Sequence, residues 1–306
     1  MKAVVYTEYG SPNVLKITEI KKPVPKHNEM LVKVYASTVS AGVIWMRKGK
    51  FPGSKLLSLL LRLQFGIIKP RYSILGFEFS GVVEYVGKSV TLFKIGDKVF
   101  GTTTGLKNGA YADYVCIPEK RKQGVIALMP SEISFDEAAA LAIGGMTALQ
   151  ILVNARIQTN QMVLICGASG SVGTFAVQIA KYLGANVTAV CSNENIELVK
   201  SLGADEVIDY TKQPIAMFKE KFDVIFDAVG KVKHTALESL LKLNGKQYSI
   251  NTLTNEKVSY LNLLSKMFSG GKLHVIIDRI YSFEQIVEAH KYVDLGHKKG
   301  NVVIRH

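Results

Sequence analysis

Met162-Val163-Leu164-Ile165-Cys166 is a short, unbroken apolar run, the mark of a strand buried on both faces. Small residues follow at once, at Ala168, Gly170 and Gly173. From Thr174 to Leu183 apolar residues recur at helical spacing, and Gly184 supplies a C-cap. Strand, small-residue turn and helix together can hold a pyrophosphate. The helix N-terminus offers unpaired N–H groups and partial positive charge, and glycine lets backbone approach the phosphates. The spacing is Ala168-x-Gly170-x-x-Gly173, with alanine where the first glycine of the usual fingerprint stands. Taken alone, that spacing could also be a tight turn and nothing more.

Its surroundings decide for a nucleotide site. A second strand reads Val187-Thr188-Ala189-Val190-Cys191, followed by a helix from Ile196 to Leu202 that Gly203 ends. Further strands are expected at 206–210 and 222–230. Strands alternating with helices require a parallel sheet with helices on its faces. The first part of the chain is different. Val14–Thr18, Met30–Ala36, Phe79–Gly87 and Gly96–Gly101 are short β-rich runs punctuated by glycine, which suggests a small barrel. A chain of 306 residues has room for both domains.

Several function classes fall away. Met1–Tyr6 opens directly as a strand, so no signal peptide is expected. The greasiest stretch, Leu56–Ile68, is interrupted by Ser58, Arg62, Gln64 and Gly66 and is too short to span a bilayer. Cys116, Cys166 and Cys191 are scattered, as small core residues in a reducing, cytoplasmic setting would be. The formal net charge of +13 is spread over Lys21-Lys22, Lys120-Arg121-Lys122, Lys231 with Lys233, and Lys298-Lys299. No aromatic residues interleave with them, so nucleic-acid binding is not expected. His27, His234, His274, His290, His297 and His306 have no metal-ligand spacing and no nucleophile context.

In the C-terminal half, Ile165–Gly173, Leu202-Gly203-Ala204-Asp205 and Phe226-Asp227-Ala228-Val229-Gly230 resemble the zinc-free quinone oxidoreductase (zeta-crystallin-like) branch of the medium-chain dehydrogenase/reductase superfamily. Met1–Tyr6, Phe93–Val99 and Gly109–Val115 extend the resemblance over nearly the whole chain. It implies an α/β protein: a GroES-like catalytic barrel over 1–130, completed by 272–306, and a Rossmann doubly wound parallel sheet over 131–271. Ser134 with Glu137 fits a capping box opening the latter. A helix over 236–242 and a fifth strand over 245–251 are expected. The next helix already begins at Tyr260, where relatives carry a sixth strand that pairs subunits. The usual edge-strand dimer is therefore not expected.

The resemblance also assigns a site. It implies cofactor contacts at Gly145 and Thr147, at Ala168, Ser169, Gly170, Ser171, Val172 and Gly173 of the turn, and at Ser192, Asn193, Tyr210, Val229, Ile250 and Asn301. Gly144-Gly145 reads either as that approach or as a plain helix–helix turn. The family's zinc enzymes carry cysteine at the position of Ser40 and histidine at that of Phe77, so no metal is expected with Glu78 left alone. Zinc-free relatives carry asparagine at Ser40, beside the nicotinamide, and an acid near Val43. The serine is the candidate there, with a shorter reach. No acid ends the second strand at Cys191 or Ser192, which favours NADP(H) over NAD(H), although Glu194 lies close by.

The implied activity is NADPH-dependent reduction of quinones or other activated alkenes, with a small apolar substrate. Alternatives are an enoyl thioester reductase, or an NADP(H)-binding redox sensor or partner protein with little turnover. The apolar segment 51–74 reads as a helix packed on the barrel, as a lid over the substrate, or as a weak contact with an anionic membrane surface.

Overall fold

The computed structural model describes residues 1–306 apart from Pro52, Lys231, Leu253 and the side chain of Ala216. Pro52 of the apolar segment and Lys231 of the basic set thus lie outside the described residues. The chain divides into two compact units, Met1–Ala142 with Ile277–His306, and Ile143–Ile276. The expected boundaries were 130 and 272. The first division instead falls inside a single long helix.

The first unit holds β1 (Lys2–Val5), β2 (Lys16–Glu19), β3 (Glu29–Thr38), α1 (Ala41–Lys48), α2 (Lys55–Phe65), β4 (Glu78–Val86), β5 (Lys98–Thr102), β6 (Tyr114–Pro118) and β7 (Ile126–Leu128). It begins α3 (Phe135–Ala155). The second unit continues with β8 (Met162–Cys166), α4 (Ser171–Tyr182), β9 (Asn186–Cys191), α5 (Ile196–Ser201), β10 (Glu206–Asp209), β11 (Phe222–Asp227), α6 (His234–Glu238), β12 (Leu241–Ser249) and α7 (Val258–Ser269). The chain then returns to the first unit as β13 (Ile277–Ser282), α8 (Ile286–Asp294) and β14 (Asn301–Arg305).

In the first unit one sheet runs β13-β14-β3-β4-β5-β7, with β6 also on β3. The period-2 pattern of β3 builds the barrel core. Met30, Val32 and Val34 point inward with Phe79, Val83, Val99, Val115 and Ile117, while Lys33 and Tyr35 point out. A second core joins Val43, Ile44 and Met46 of α1 to Ile286, Ala289 and Val293 of α8 and to Ala3 and Val4 of β1 with Tyr6 just beyond it.

In the second unit β10-β9-β8-β11-β12 lie side by side, all parallel. The chain works outward from β8 to β10 and then returns to the other side of β8, so the strand order reverses between β8 and β11. The crevice at the carboxyl ends of such a pair is where open α/β sheets take ligands.

Two local expectations are corrected. The chain does not turn at Gly144-Gly145, because α3 runs unbroken through both. Its length and apolarity would suit a membrane span, but 78% of its most apolar window is buried inside the protein, as in a core helix. The fifth strand starts at Leu241, and the helix before it ends at Glu238. A register shift opposite Phe222 and Val224 absorbs Asn244, whose φ is +67°, and regular pairing resumes at Lys246. The expected capping box is present: Ser134 N–H donates to Glu137 Oε2 at 3.0 Å, and Glu137 N–H to Ser134 Oγ at 3.3 Å.

Candidate dinucleotide and active-site residues

The turn after β8 is tied down before the helix starts. Gly167 and Ala168 N–H both donate to Val190 O at 3.0 Å, and Gly170 N–H donates to Gly167 O at 3.1 Å. Thr174 N–H makes the first helical bond, to Gly170 O at 2.9 Å. The first-turn N–H groups of α4 therefore point out of the helix end, as in any α-helix. Gly170 is extended, with φ −78° and ψ 176°, and Ala168 is buried.

The glycines are not equivalent. A Cβ on Gly173 would sit 2.1 Å from Gly167 O and 2.8 Å from Ala168 Cα, so helix and strand can pack only over a hydrogen. Gly167 has φ +72°, and its Cβ would lie 2.2 Å from Val229 Cγ2. Gly170 would bring only a 3.4 Å contact with Gly167 O. The tight-turn role thus belongs to Gly167, one place before Ala168, and the sequence reading missed it. Gly144, read from sequence as a cofactor approach or a turn, is held by packing: a Cβ there would come within 2.8 Å of Ser171 Oγ, so a side chain would keep α3 from the start of α4.

Val229 and Ile250 are brought to this turn through Asp227, by its buried carboxylate and its backbone carbonyl respectively. Asp227 Oδ1 accepts from Val229 N–H and Gly230 N–H, both at 3.0 Å, and Oδ2 from Val232 N–H at 3.3 Å. Ala228 N–H donates to Cys166 O at 3.0 Å, and Ile250 N–H to Asp227 O at 2.8 Å. Gly230, at φ +72°, passes under Ile250, where a Cβ would meet Cγ2 at 2.8 Å. Ala168 to Gly173, Val229 and Ile250 therefore share the carboxyl edge of β8, β11 and β12.

Ser192, Asn193 and Tyr210 gather beyond β9. Ser192 Oγ accepts from Asn195 Nδ2 at 2.9 Å, and Tyr210 N–H donates to Cys191 O at 3.2 Å. Lys212 Nζ donates to Asn193 Oδ1 at 3.2 Å and lies 3.7 Å from Asp209 Oδ2. That ammonium is a cation the sequence reading did not single out. Thr147 lines a cavity of about 60 Å³ with Met146, Gln150 and Asn255, whose N–H donates to Gln150 Oε1 at 2.7 Å. Gly145 lies on the same helix, α3.

Ser40 and Asn301 belong to the first unit. Ser40 is the N-cap of α1, but its side chain makes no capping bond. Val39 N–H donates to Val302 O at 2.9 Å, which sets Ser40 and Asn301 at adjoining ends of β3 and β14. Thr38 Oγ1 donates to Glu78 Oε2 in a short bond. Phe77 packs where a Cβ on Gly42 would sit, 3.5 Å away. Among the described residues no three His, Cys, Asp or Glu side chains converge. Lys298 lies in the same unit. Burial pulls its ammonium down to about 8, against the opposing charges of Glu78 and Asp278.

Comparison with known proteins agrees with this architecture. An alcohol dehydrogenase GroES-like domain model matches residues 26–130, and two zinc-binding dehydrogenase models match 171–246 and 238–304. The chain is 32% identical to 2-methylene-furan-3-one reductase of Solanum lycopersicum, over 99% of this chain and 79% of that one. It is 31% identical to the chloroplastic NADPH-dependent alkenal/one oxidoreductase of Arabidopsis thaliana, with the same coverage. The quinone oxidoreductase structure from Coxiella burnetii superposes with a TM-score of 0.85 at 28% identity, over 100% of this chain and 99% of that one. With matches of this extent on both halves, the chain belongs to the zinc-free quinone oxidoreductase branch of the medium-chain dehydrogenase/reductase superfamily.

Proposed function

We propose that this protein is an NADPH-dependent reductase of quinones or other activated alkenes and works without a metal. The observation that carries the reading is the cradle at Gly167–Gly173, closed by Val229 at the strand-order reversal of the sheet. The residues fit the cofactor. The first-turn N–H groups of α4, held close to β8 by the approach of Gly173 to Gly167 O, suit a pyrophosphate. The Lys212 ammonium beside Asn193 suits a 2′-phosphate. The relatives named for reduction of a methylene-furanone and of alkenals and alkenones support the substrate class.

The bound cofactor supplies the hydride, so the protein's work is to bind, orient and exclude water. The N–H groups of the first turn of α4 would hold the pyrophosphate. Asp227 fixes the Val229 loop by accepting three backbone N–H bonds. Ser40 keeps its hydroxyl free of capping duty and is the candidate side chain of the first unit for the reaction. At the positions where the family's zinc enzymes hold metal, this chain offers serine, phenylalanine and Glu78, and Thr38 already engages Glu78. A single carboxylate does not make a zinc site.

The shortened sheet bears on how subunits could pair. Among the described residues no strand extends it beyond β12, and the outer edge carries Lys242, Lys246 and the Asn244 bulge, features that discourage edge pairing. We expect no continuous-sheet dimer; an antiparallel β12 pair in a dimer structure would overturn this. Burial raises the Cys116 and Cys191 thiols to about 11, so both stay protonated and unreactive.

The test is NADPH binding followed by NADPH oxidation with a panel of quinones, enones and enoyl thioesters, with NADH alongside. Turnover of quinones or enones is expected. Turnover confined to enoyl thioesters would reassign the substrate, and tight binding without oxidation would make the protein a sensor. Failure to bind either nucleotide would overturn the reading of the turn.

A further inference from the structure

Helix α2 is built inside out. Two of its polar side chains, Ser58 and Arg62, turn inward: Ser58 Oγ donates to Ser54 O at 2.7 Å and accepts from Phe51 N–H at 2.9 Å. Arg62 Nε donates to Gly49 O at 3.1 Å, and its guanidinium lies 4.8 Å from the Tyr9 ring centre. With Leu61 and Phe65, which pack against the core, these residues occupy the i, i+3, i+4, i+7 face that a surface helix normally makes apolar. The other face is Leu56, Leu57, Leu59, Leu60 and Leu63, every one exposed, with Gln64 as the one polar residue among them, and Ile68 just beyond is 90% exposed.

The charge around this face has one sign. No aspartate or glutamate occurs between Glu29 and Glu78. Lys50, Lys55, Lys69 and Arg71, which bracket the leucines, are all exposed. A second copy would set the same cations against themselves, and a nucleic acid would leave the leucines in water. A surface that is anionic outside and apolar beneath satisfies both features: leucines sink to the acyl boundary while lysines meet the headgroups.

We propose that α2 and the 66–71 return seat this protein on an anionic lipid bilayer. The seat stands on these observations alone. Its benefit, access to apolar acceptors dissolved in the bilayer, rests on the reductase reading.

The test is flotation of the full chain with phosphatidylcholine vesicles, alone or mixed with phosphatidylglycerol. Binding to the mixed vesicles is expected, falling roughly tenfold or more on neutral vesicles or in high salt. A triple variant, Leu59→Gln with Leu60→Gln and Leu63→Gln, should stay off the vesicles while its circular dichroism, melting and NADPH binding match the parent. Should it fail to fold, Lys50→Glu with Lys55→Glu tests the charge alone and should also abolish flotation. Leu243→Gln, which changes a 94% exposed leucine of the other unit, should float like the parent. No flotation by the parent, or flotation that survives the triple variant, overturns the proposal. So does a parent dimer that the triple variant dissociates, since a second copy would then own the face. NADPH binding is read separately, so losing the seat and losing the reductase reading give different results.

Discussion

Arg47, with no exposed surface, donates from Nη2 to Asp294 Oδ2 at 2.7 Å and thereby pins α1 to α8. The guanidinium also donates from Nη1 toward His290 Nδ1 at 3.3 Å. Lys48 shares the carboxylate from the solvent side, at 2.9 Å. A buried cation is tolerable only while its anion is present. Asp294→Ala should therefore cost roughly 3 kcal/mol of unfolding free energy. Replacing Arg47 by Met in the same chain should recover part of it, because no charge is then stranded. Urea unfolding of the three proteins measures this; an Asp294→Ala midpoint equal to the parent's would refute the pinning role.

The direction of these bonds fixes the state of His290. Tyr111 OH donates to Thr38 O at 2.9 Å, so it accepts from His290 Nε2–H at 3.2 Å, and Nδ1 is left to accept from Arg47. Burial first, and then the Arg47 charge, pull His290 from 6.5 down to about 3, with Asp294 opposing. Burial does the same to His306, also to about 3, whose Nε2 lies 2.8 Å from Ser37 Oγ. Both folded values are depressed, so below 6.5 the unfolded chain takes up protons that the folded one refuses. Stability should be full above that pH and fall toward pH 3 by about 1.4 kcal/mol per histidine per pH unit. Melting temperatures across the window should drop steeply in the parent and less steeply in His290→Gln; parallel slopes would sink the assignment.

Gly173 and Gly170 of the nucleotide turn should respond unequally. Gly173→Ala places a methyl 2.1 Å from Gly167 O, where backbone must give way. Gly170→Ala meets that same oxygen at 3.4 Å, in ordinary contact. Calorimetric titration with NADPH should show roughly a hundredfold or greater loss for Gly173→Ala, equivalent to about 2.7 kcal/mol, and a change within a few-fold for Gly170→Ala. Equal losses would mean the cradle is not formed by close approach.

What could be read from sequence was local. The strand at Met162–Cys166, the helix after it, the Ser134–Glu137 box and the parallel alternation all declare themselves within a few residues of spacing. What could not be read depends on distant neighbours. Gly167 is needed because Val229 closes over it, and Gly144 because Ser171 approaches it. The early start of β12 is set by its register against β11. The turned-out leucines of α2 carry a helical period, but periodicity does not say which face the protein will cover. Arg47 and Asp294 are 247 residues apart, and nothing in either segment names the other.

Lys212 belongs to the same class of long-range residue, and the proposed function gives it the 2′-phosphate. Parallel pairing sets Asp209 opposite Cys191, which carries the residues after β10 toward those after β9 and places Lys212 Nζ on Asn193 Oδ1. NADPH differs from NADH only by the 2′-phosphate, so a cation that acts there changes one affinity and not the other. A charge-assisted hydrogen bond of about 1.5–3 kcal/mol corresponds to roughly 10- to 100-fold in binding. Lys212→Glu should weaken NADPH by that factor and move NADH by no more than about threefold, within the error of a lost surface contact. If both nucleotides weaken together, Lys212 supports the loop and not the phosphate. If neither moves, the discrimination rests on the neutral groups of Ser192, Asn193 and Tyr210.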